Sequence, residues 1–570
     1  MLRLIGSVTF LALLMVGCGG GDASSPPPPP TYTVGGAVTG LTGSGLMLQI
    51  NVGDLLAVSK AGAFTFANQL GSGASYTVTV NTQPSTPPQN CTVANGSGTV
   101  GAANVTTVAV ACSTVANYTV GGTVSGLVGS DLTLAICTRP IGTHGVPTPD
   151  ICNNLKQVSA DGTYSLDTVY LADYSGLDYV SIAQQPSSPP QRCVISNAAV
   201  SAQAAKHTGF TVSCAGFSYV TDAADNTLSG YSIDATTGEL AVIGTPTVTG
   251  ASPYSTVGLE DGNTRYVVEG NKLTLIDGKR YVFVGNEGSN DVSAFAVNST
   301  TGALTAVPGS PFPAGTDPQA LALLNYLNSG TYVLYVANAG SDNNVSAYNI
   351  DEVTGALNPL FGPGASTIAT GKNPTSIAIG VERDSVPFIY VANHGGSHDI
   401  SAFDYNLAPV PGSPFPAGGN PLSLAVGASG KFLYSANPDA TNPSISGFSI
   451  DPTSGAMSPL SGSPFPLPVS HYMATDQTGA YLYVTAGANI VGYAIDATTG
   501  ALTALPGFPI SAGADAYSVS IDPTNRFLYV ANHGAANIAG FRLDASSGAL
   551  TPISGSPFQA GGYSEFIATF

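Results

Sequence analysis

Histidines and carboxylates recur at matching places in the C-terminal part of the chain. His394 and His533 each follow a Val-Ala-Asn triplet, and His471 occupies a place where the usual residue is proline. A histidine beside a carboxylate can take a proton from the water that attacks a carbonyl carbon, while a second donor stabilises the oxyanion. We therefore predict a catalytic group made of His471, His533, Asp515 and Glu565.

A second set of polar residues is placed to bind a ligand at the same end of the repeats. The loops after Val-Ala-Asn are rich in Asn and Asp, and the predicted ligand-binding residues are His394, His398, Asp399, Asp317 and Lys372. Three other interpretations stay open: the histidines are plain solvated loop residues, the Asx residues cap tight turns, or His394, His398 and Asp399 hold a metal ion. Because no loop has the residue spacing of a known calcium loop, we predict neither a metal nor a cofactor.

These residues are positioned by a repeat of about 45 to 60 residues. One apolar strand, strand B, occurs seven times and begins at Phe217, Tyr281, Val333, Phe388, Phe432, Tyr481 and Phe527. A strand C follows, then a strand D that ends near Gly-Ser-Pro-Phe, then a strand A of the form Pro-x-Ser-Leu-Ala-Val. Four short strands per repeat are typical of a propeller blade. Residues 216–570 are therefore predicted to form an all-β, seven-bladed β-propeller.

The ends of this propeller indicate how the ring closes. It begins on a strand B at Phe217 and ends on a strand A, residues 565–570. The C-terminal strand should therefore complete the first blade beside Phe217–Val220, which removes an open sheet edge. An insertion at 259–279, with a strand-like segment at Arg265, either caps an entrance or is a plain hairpin.

The Tyr-Val-Ala-Asn repeats of residues 216–570 resemble the lactonase family of seven-bladed β-propellers, which includes propeller-type 6-phosphogluconolactonases. The resemblance implies a sugar lactone as substrate and carboxylic-ester hydrolase activity. A phosphorylated substrate is disfavoured: the propeller has nine Lys and Arg, and in the regular loops near the expected site only Lys372 could meet a phosphate. Arg265 and Lys272 could reach it only if the insertion folds over the mouth of the channel.

Two classes of function remain at this point. The first, which we favour from the sparse ionisable groups, is a module that binds a ligand or partner without catalysis. The second is a hydrolase of a non-phosphorylated (sugar) lactone. A tight cluster of His471, His533 and a carboxylate would favour the enzyme.

Residues 32–115 and 116–215 are two copies of one small domain. The motif Tyr-Thr-Val-Gly-Gly begins at Tyr32 and Tyr118, and Gln-Pro-Ser-x-Pro-Pro-Gln recurs before two of the cysteines. Short strands with Gly, Ser and Asn turns predict a β-sandwich in each copy, with an Ig-like fold as one option. The domains carry no visible catalytic group, so we expect them to act as spacers. Their six cysteines are predicted to pair as Cys91–Cys112, Cys137–Cys152 and Cys193–Cys214.

The N-terminus predicts export with a lipid anchor. Residues 1–17 carry one positive charge and a short apolar run, which is typical of a signal peptide. The run ends Met15-Val16-Gly17-Cys18, which looks like a bacterial lipobox and predicts lipidation of Cys18. A Gly- and Pro-rich tether at 18–31 follows.

Charge limits the partners of the chain. The net charge is −19, and phosphate contacts need Lys and Arg, so nucleic acid and anionic membrane surfaces are excluded as partners. We expect a monomer in the bacterial cell envelope, at the outer membrane or cell surface, that contacts the membrane through its lipid anchor alone. Its expected partner is a small-molecule lactone, an envelope glycan or a protein.

Overall fold

A computed structural model describes most of the chain after the tether. The described residues are 29–114, 117–140, 151–170, 176–187, 191–196, 206–260, 265–269, 272–276, 280–326, 331–360, 367–380, 387–439, 442–467 and 472–570. All regular elements in these ranges are β-strands. None of the described residues belongs to a helix with the length and hydropathy of a membrane span. The chain divides into two compact units: one contains the first repeat domain, and the other contains the second repeat domain and the propeller.

The first repeat domain is a sandwich of two sheets around one core. In spatial order, one sheet contains Gly62–Thr65, Val34–Thr39, Val105–Thr114 and Gln89–Ala94, and the other contains Asp54–Val58, Leu46–Ile50, Ser75–Thr82 and Ser97–Thr99. Two short strands, Thr31–Tyr32 and Leu70–Gly71, pair with each other. Alternate residues of both sheets, such as Val38, Leu48 and Val110, are buried in the shared core, as expected for strands with one solvated face.

The second repeat domain has the same topology. Its sheets contain, in spatial order, Gly162–Tyr170, Asn117–Ser125, Lys206–Ser213 and Val194–Ser196, and then Ile151–Val158, Leu132–Pro140 and Gly176–Gln184. In both copies the second strand of the first sheet runs parallel to the third. The prediction of two β-sandwich copies is confirmed.

The motifs shared by the two copies have structural roles. The last Gln of each Gln-Pro-Ser-x-Pro-Pro-Gln motif is buried. Gln89 Oε1 accepts hydrogen bonds of 2.7 Å from two backbone N–H groups of the first copy, and Gln191 Oε1 accepts the matching pair in the second copy. The Gly-Gly pair is needed because a Cβ on Gly36 would lie 1.7 Å from the carbonyl oxygen of Val108.

The three predicted disulfides, Cys91–Cys112, Cys137–Cys152 and Cys193–Cys214, are confirmed. The first two pairs each join residues that lie directly opposite one another on neighbouring antiparallel strands. Disulfides persist in oxidising compartments. The chain is therefore an exported protein.

The propeller has seven blades, numbered here from Gly216. Strand A of blades 1 to 7 is Ser564–Thr569, Pro253–Glu260, Pro318–Tyr326, Pro374–Gly380, Ser423–Val426, Met473–Thr475 and Ala516–Ile521. Strand B is Gly216–Asp222, Arg280–Asn286, Thr331–Asn338, Phe388–Asn393, Phe432–Asn437, Tyr481–Ala486 and Phe527–Asn532. Strand C is Thr227–Ile233, Asp291–Val297, Asn344–Ile350, Asp399–Asp404, Ser444–Ile450, Asn489–Ile495 and Asn537–Leu543.

Strand D differs from the prediction, because it is broken into two short pieces that both pair with strand C. The first piece is Leu240–Val242, Leu304–Ala306, Leu357–Pro359, Met457–Pro459, Leu502–Ala504 or Leu550–Pro552, and blade 4, with its shortened turn, has the single bridge Phe403 to Pro409 instead. The second piece is Thr247–Val248, Phe312–Pro313, Thr367–Ala369, Phe415–Pro416, Phe465–Pro466, Ile510–Ser511 or Phe558–Gln559. In the Gly-Ser-Pro-Phe copies, the glycine has a positive φ and the proline has no N–H, so the ladder is interrupted there.

The ring closes as predicted. The C-terminal strand pairs antiparallel with the first strand B, with Tyr219 opposite Ala568 and Val220 opposite Ile567. Each strand A contacts the strand A of the next blade, and those of blades 7 and 1 complete the circle. The insertion in blade 2 contains a hairpin of Arg265–Glu269 and Lys272–Ile276.

Strand B is apolar throughout because its two faces contact two different neighbours. In blade 3, Leu334 and Val336 pack toward blade 2, whereas Val333 and Tyr335 pack toward blade 4. Such a strand has no solvated face, so its sequence lacks the usual polar alternation.

In five of the seven blades, the tyrosine of strand B joins the blade to the next one. Tyr529 donates a hydrogen bond of 2.7 Å to the carbonyl oxygen of Gly238, which lies in the C–D turn of blade 1. Tyr219, Tyr390, Tyr434 and Tyr483 make the same bond to the matching glycines. Gly238 has φ of 81°, and a Cβ there would lie 2.4 Å from the ring of Phe527. The repeated Tyr and Gly are therefore a contact between blades.

Candidate functional site

Three positions per blade surround one end of the propeller. The first is the residue after strand B, the second is the residue before the Pro-x-Ser motif or its equivalent (in blades 1 to 4 and 7 the residue before strand A), and the third is the second residue of that motif. The first two are joined by backbone hydrogen bonds, such as His533 N–H to the Asp515 carbonyl and His394 N–H to the Asn373 carbonyl. At the third position the pairing of strands A and B slips by a β-bulge in several blades, and bulges re-aim side chains.

The third position divides the ring into two sides. Blades 6, 7, 1 and 2 carry Tyr472, Tyr517, Glu565 and Tyr254, whereas blades 3, 4 and 5 carry Gln319, Thr375 and Leu422. We call these the acidic-aromatic side and the neutral side of the mouth.

Three tyrosine hydroxyls meet on the acidic-aromatic side. Tyr254 Oη lies 2.9 Å from Tyr472 Oη and 2.5 Å from Tyr517 Oη. The ring of Phe566 packs against all three tyrosine rings. Burial raises the pKa of each tyrosine, and for Tyr254 and Tyr472 the rise is large. The hydroxyls are therefore neutral donors rather than nucleophiles near neutral pH.

His533 lies beside this cluster with two of the predicted carboxylates. Its Nδ1 is 3.7 Å from Glu565 Oε1 and 3.9 Å from Asp515 Oδ2. Its ring packs edge-on against Tyr517 and Tyr563, with centroids 5.6 and 5.0 Å away. The structure thus brings together three of the four residues predicted to be catalytic. The fourth, His471, lies outside the described residues.

Glu565 is the most perturbed acid of this group. It is 7% exposed, and its Oε2 is buried without a hydrogen-bond partner. Burial, followed by the nearby negative charges of Glu287 and Asp515, raises the pKa of Glu565 to about 7. A carboxyl group with this pKa changes charge in the range where many enzymes use acid–base catalysis.

The charge at the mouth is negative. Glu287 follows strand B of blade 2, at the same repeat position as His533. Burial and the charge of Asp317 raise the pKa of Glu287. Asp317, one of the predicted ligand-binding residues, accepts a hydrogen bond of 2.6 Å from Gln319 Nε2. The like charges therefore act in pairs: Asp317 raises the pKa of Glu287, and Glu287 and Asp515 raise the pKa of Glu565.

His394 occupies the position of His533 on the neutral side, in blade 4. Its Nε2 is 3.2 Å from Asn420 Nδ2, and its Nδ1 is buried without a partner. Burial lowers the pKa of His394 against a smaller raising effect of the Pro421 backbone, and the charge of nearby His398 lowers it further against a smaller raising effect of the charge of Asp439. This histidine is therefore neutral near pH 7.

Three other predicted ligand-binding residues, Asp399, His398 and Lys372, make no contact with the group around His533 that the structure describes. Asp399 Oδ1 accepts a hydrogen bond of 2.6 Å from Asn393 Nδ2, as Asp291 does from Asn286 in blade 2, so Asp399 ties its own loop together. His398 and Lys372 are exposed. The described residues contain no group of three His, Cys, Asp or Glu side chains that could hold a metal ion.

The sequence reasoning missed Tyr254, Tyr472, Tyr517, Glu287 and Tyr563. The signal was available in the Pro-x-Ser motif, because x is the position that differs most between blades. Aligning the repeats by that residue would have separated the two sides of the mouth.

Part of the propeller matches a known protein family. Residues 444–557 match a family described as lactonase, seven-bladed β-propeller. These blades are lactonase-like. The match confirms the resemblance predicted from the Tyr-Val-Ala-Asn repeats, over the stretch from strand C of blade 5 to the end of blade 7. No curated protein matches the chain.

Solved structures with a similar course of the chain include two that are described as lactonases. A candidate 6-phosphogluconolactonase from Bacteroides fragilis is 20% identical, with a TM-score of 0.49, over 62% of this chain and 98% of its own. The periplasmic gluconolactonase of Pseudomonas aeruginosa is 15% identical, with a TM-score of 0.47, over 62% of this chain and 98% of its own.

Proposed function

We propose that the propeller hydrolyses a lactone that carries no phosphate, at the acidic-aromatic side of the mouth. The observation that carries the proposal is His533, whose Nδ1 faces the carboxylates of Glu565 and Asp515 at 3.7 and 3.9 Å. The family match of residues 444–557 supports the reaction class.

The chemistry follows from the orientation of the imidazole. With Nδ1–H directed at carboxylates, Nε2 is the nitrogen that takes a proton from water. The water oxygen then bonds to the lactone carbonyl carbon, and a neutral hydroxyl such as that of Tyr517 donates to the developing oxyanion. The C–O bond of the ring breaks, and the leaving alkoxide takes back the proton from the imidazolium. The product is a hydroxy acid.

Glu565 acts in this scheme as a positioning residue. When it is ionised, its negative charge stabilises the imidazolium that forms at His533. Because the pKa of Glu565 is about 7, this support is gained as the pH rises through neutrality.

A phosphorylated lactone fits this side poorly. The carboxylates of Glu287, Asp515 and Glu565 lie on this side and repel an anion. Phosphate sites instead gather Arg and Lys.

The experiment is lactone hydrolysis by the full mature chain, on sugar and aliphatic lactones with and without a 6-phosphate. We expect turnover of the neutral lactones, loss of at least about 100-fold in kcat/KM with His533→Ala, and little change with Glu239→Gln. Glu239 is an exposed acid on the outer C–D turn of blade 1 and serves as the matched control. Absence of turnover in a folded protein would overturn the proposal.

A module that binds a ligand without turnover is the second candidate. The observation that favours it is Tyr563, a 56% exposed aromatic ring at the mouth. Saturable binding of a lactone or an envelope glycan without hydrolysis would support this candidate.

We also propose that the protein is a lipoprotein of the cell envelope, anchored through Cys18. Cys18 lies outside the described residues, and the support is the lipobox-like sequence together with the three disulfides. Cys18→Ser should move the protein from the membrane fraction to the soluble fraction of the envelope. Retention of this variant in membranes would contradict the anchor.

A further inference from the structure

The residue before strand A has an unusual backbone in five of the described blades. Ser252, Asp317, Asn373, Asp515 and Tyr563 have φ between 53° and 57°. Asp and Asn tolerate this left-handed region, because their short polar side chains bond locally, whereas a bulky residue there is a conformational outlier. The turn therefore explains the backbone conformation of Tyr563 but not the choice of a tyrosine. Residues in such conformations cluster at ligand sites.

The ring of Tyr563 is placed where a ligand can reach it. It is 56% exposed and stands edge-on to His533 at 5.0 Å. An exposed aromatic ring that is not required by the fold offers its face to a ligand. Aromatic faces attract cations through their quadrupole.

The carboxylates around His533, the residue against which Tyr563 packs, also favour a cation. Glu565 is 7% exposed, and its buried Oε2 has no hydrogen-bond partner. Glu287 and Asp515 both act on Glu565 as like charges. Among the described residues at the three mouth positions there is no Lys or Arg, and Lys372 lies one residue before its position in blade 4. A bound cation would relieve this repulsion.

We propose that the acidic-aromatic side of the mouth binds a ligand through a positively charged amine, held between the face of Tyr563 and the carboxylates of Glu565, Asp515 and Glu287. The inference deepens the proposed function, since it names an amine-bearing lactone as the substrate class. Only the lactone part of this inference rests on the proposed function. The amine site can be tested by binding, without any turnover.

Choline and 3,3-dimethylbutan-1-ol are suitable probes, because they have the same shape and only choline is charged at every pH. Binding of both to the full mature chain would be measured by titration calorimetry at low and high salt. We expect choline to bind about tenfold tighter or more at low salt, and the difference to shrink at high salt. Equal affinity, or tighter binding of the alcohol, would overturn the proposal.

Variants separate the two parts of the site. Tyr563→Ala should remove most of the choline preference, and Tyr563→Phe should keep it, because the aromatic face is retained. Glu287→Gln should reduce the preference, and Glu239→Gln should leave it unchanged. Loss in Tyr563→Phe equal to that in Tyr563→Ala would contradict an aromatic contact.

Failure of this inference can be told apart from failure of the proposed function. Choline preference without hydrolysis of any lactone keeps the amine site and removes the hydrolase. Hydrolysis of γ-butyrolactone and homoserine lactone with equal kcat/KM, and no choline preference, keeps the hydrolase and removes the amine site.

Discussion

His533 and His394 share one position of the repeat but lie in opposite environments. His533 faces two carboxylates and two aromatic rings, whereas His394 faces the amide of Asn420 and has a buried Nδ1 without a partner. Backbone geometry is the same at both, with the histidine N–H bonded to the residue before strand A. The two histidines thus share a backbone position, and the side chains around each ring decide whether it can act as a base.

The largest expected effect compares the two histidines directly. His533→Asn should lower kcat/KM for a neutral lactone by about 100-fold or more, because the general base is lost. His394→Asn should cause a loss smaller than about tenfold, because the His394 ring contacts the Asn420 amide and not a carboxylate. The measurement is steady-state hydrolysis by both variants. Equal losses would mean that the two sides of the mouth are not different in function.

The next effect concerns stability. The pKa of Glu565 is raised from 4.5 to about 7 in the folded chain, so folding disfavours its ionised form. This cost is absent below pH 4.5, grows as the pH rises, and is complete above about pH 7. Glu565→Gln should therefore stabilise the propeller at pH 8 by about 2 kcal/mol, while it lowers activity. Urea unfolding at pH 5 and pH 8 measures the difference.

Two further variants check this prediction. Gln319→Glu would place a carboxylate beside Asp317, 2.6 Å from its Oδ1, and should destabilise the neutral side at pH 8.

Asp222, which replaces the usual Asn at the end of strand B, has a pKa raised by burial to about 6. Asp222→Asn should stabilise at pH 8 without loss of activity. An activity loss there would show that stability and catalysis are not separable in blade 1.

A smaller effect is expected from the hydroxyl cluster. Tyr254→Phe removes the oxygen that Tyr472 and Tyr517 share, so the buried cluster loses two of its hydrogen bonds. The cost should be about 1–2 kcal/mol of unfolding free energy. On the neutral side, Thr375→Val removes a single bond to the Leu422 carbonyl and should cost less. A larger loss of unfolding free energy in Thr375→Val than in Tyr254→Phe would contradict a stabilising role of the tyrosine cluster.

The smallest effect is expected when a carboxylate is introduced on the neutral side. Asn420→Asp places a carboxylate near His394 Nε2, at the site of the present 3.2 Å contact. An adjacent negative charge favours the imidazolium, so the pKa of His394 should rise by about one unit. NMR titration of the histidine ring protons measures this directly. An unchanged pKa would mean that solvent screens the new charge.

The sequence allowed the ring closure to be predicted, because a chain that begins on strand B and ends on strand A has one way to complete its first blade. The disulfides were predictable for a similar reason, since the two copies required one internal pair each. The broken strand D was not foreseen, because the Gly-Ser-Pro turn returns to the same strand C. The tyrosine cluster was also missed, since its members are far apart in the chain: Tyr254 and Tyr517 are 263 residues apart.

By itself, the sequence determined the repeat of this protein: the order of strands A, B and C, the number of blades, the way the ring closes and the pairing of cysteines. These depend on residues close together in the chain or on repetition, and both are visible in a linear pattern. Only the tertiary structure decided which residues of different blades meet at the mouth, and hence that His533 has two carboxylates within 4 Å while the nearest side-chain contact of the His394 ring is the amide of Asn420. Burial and the charge of neighbours set the pKa of Glu565, and both are properties of the closed ring.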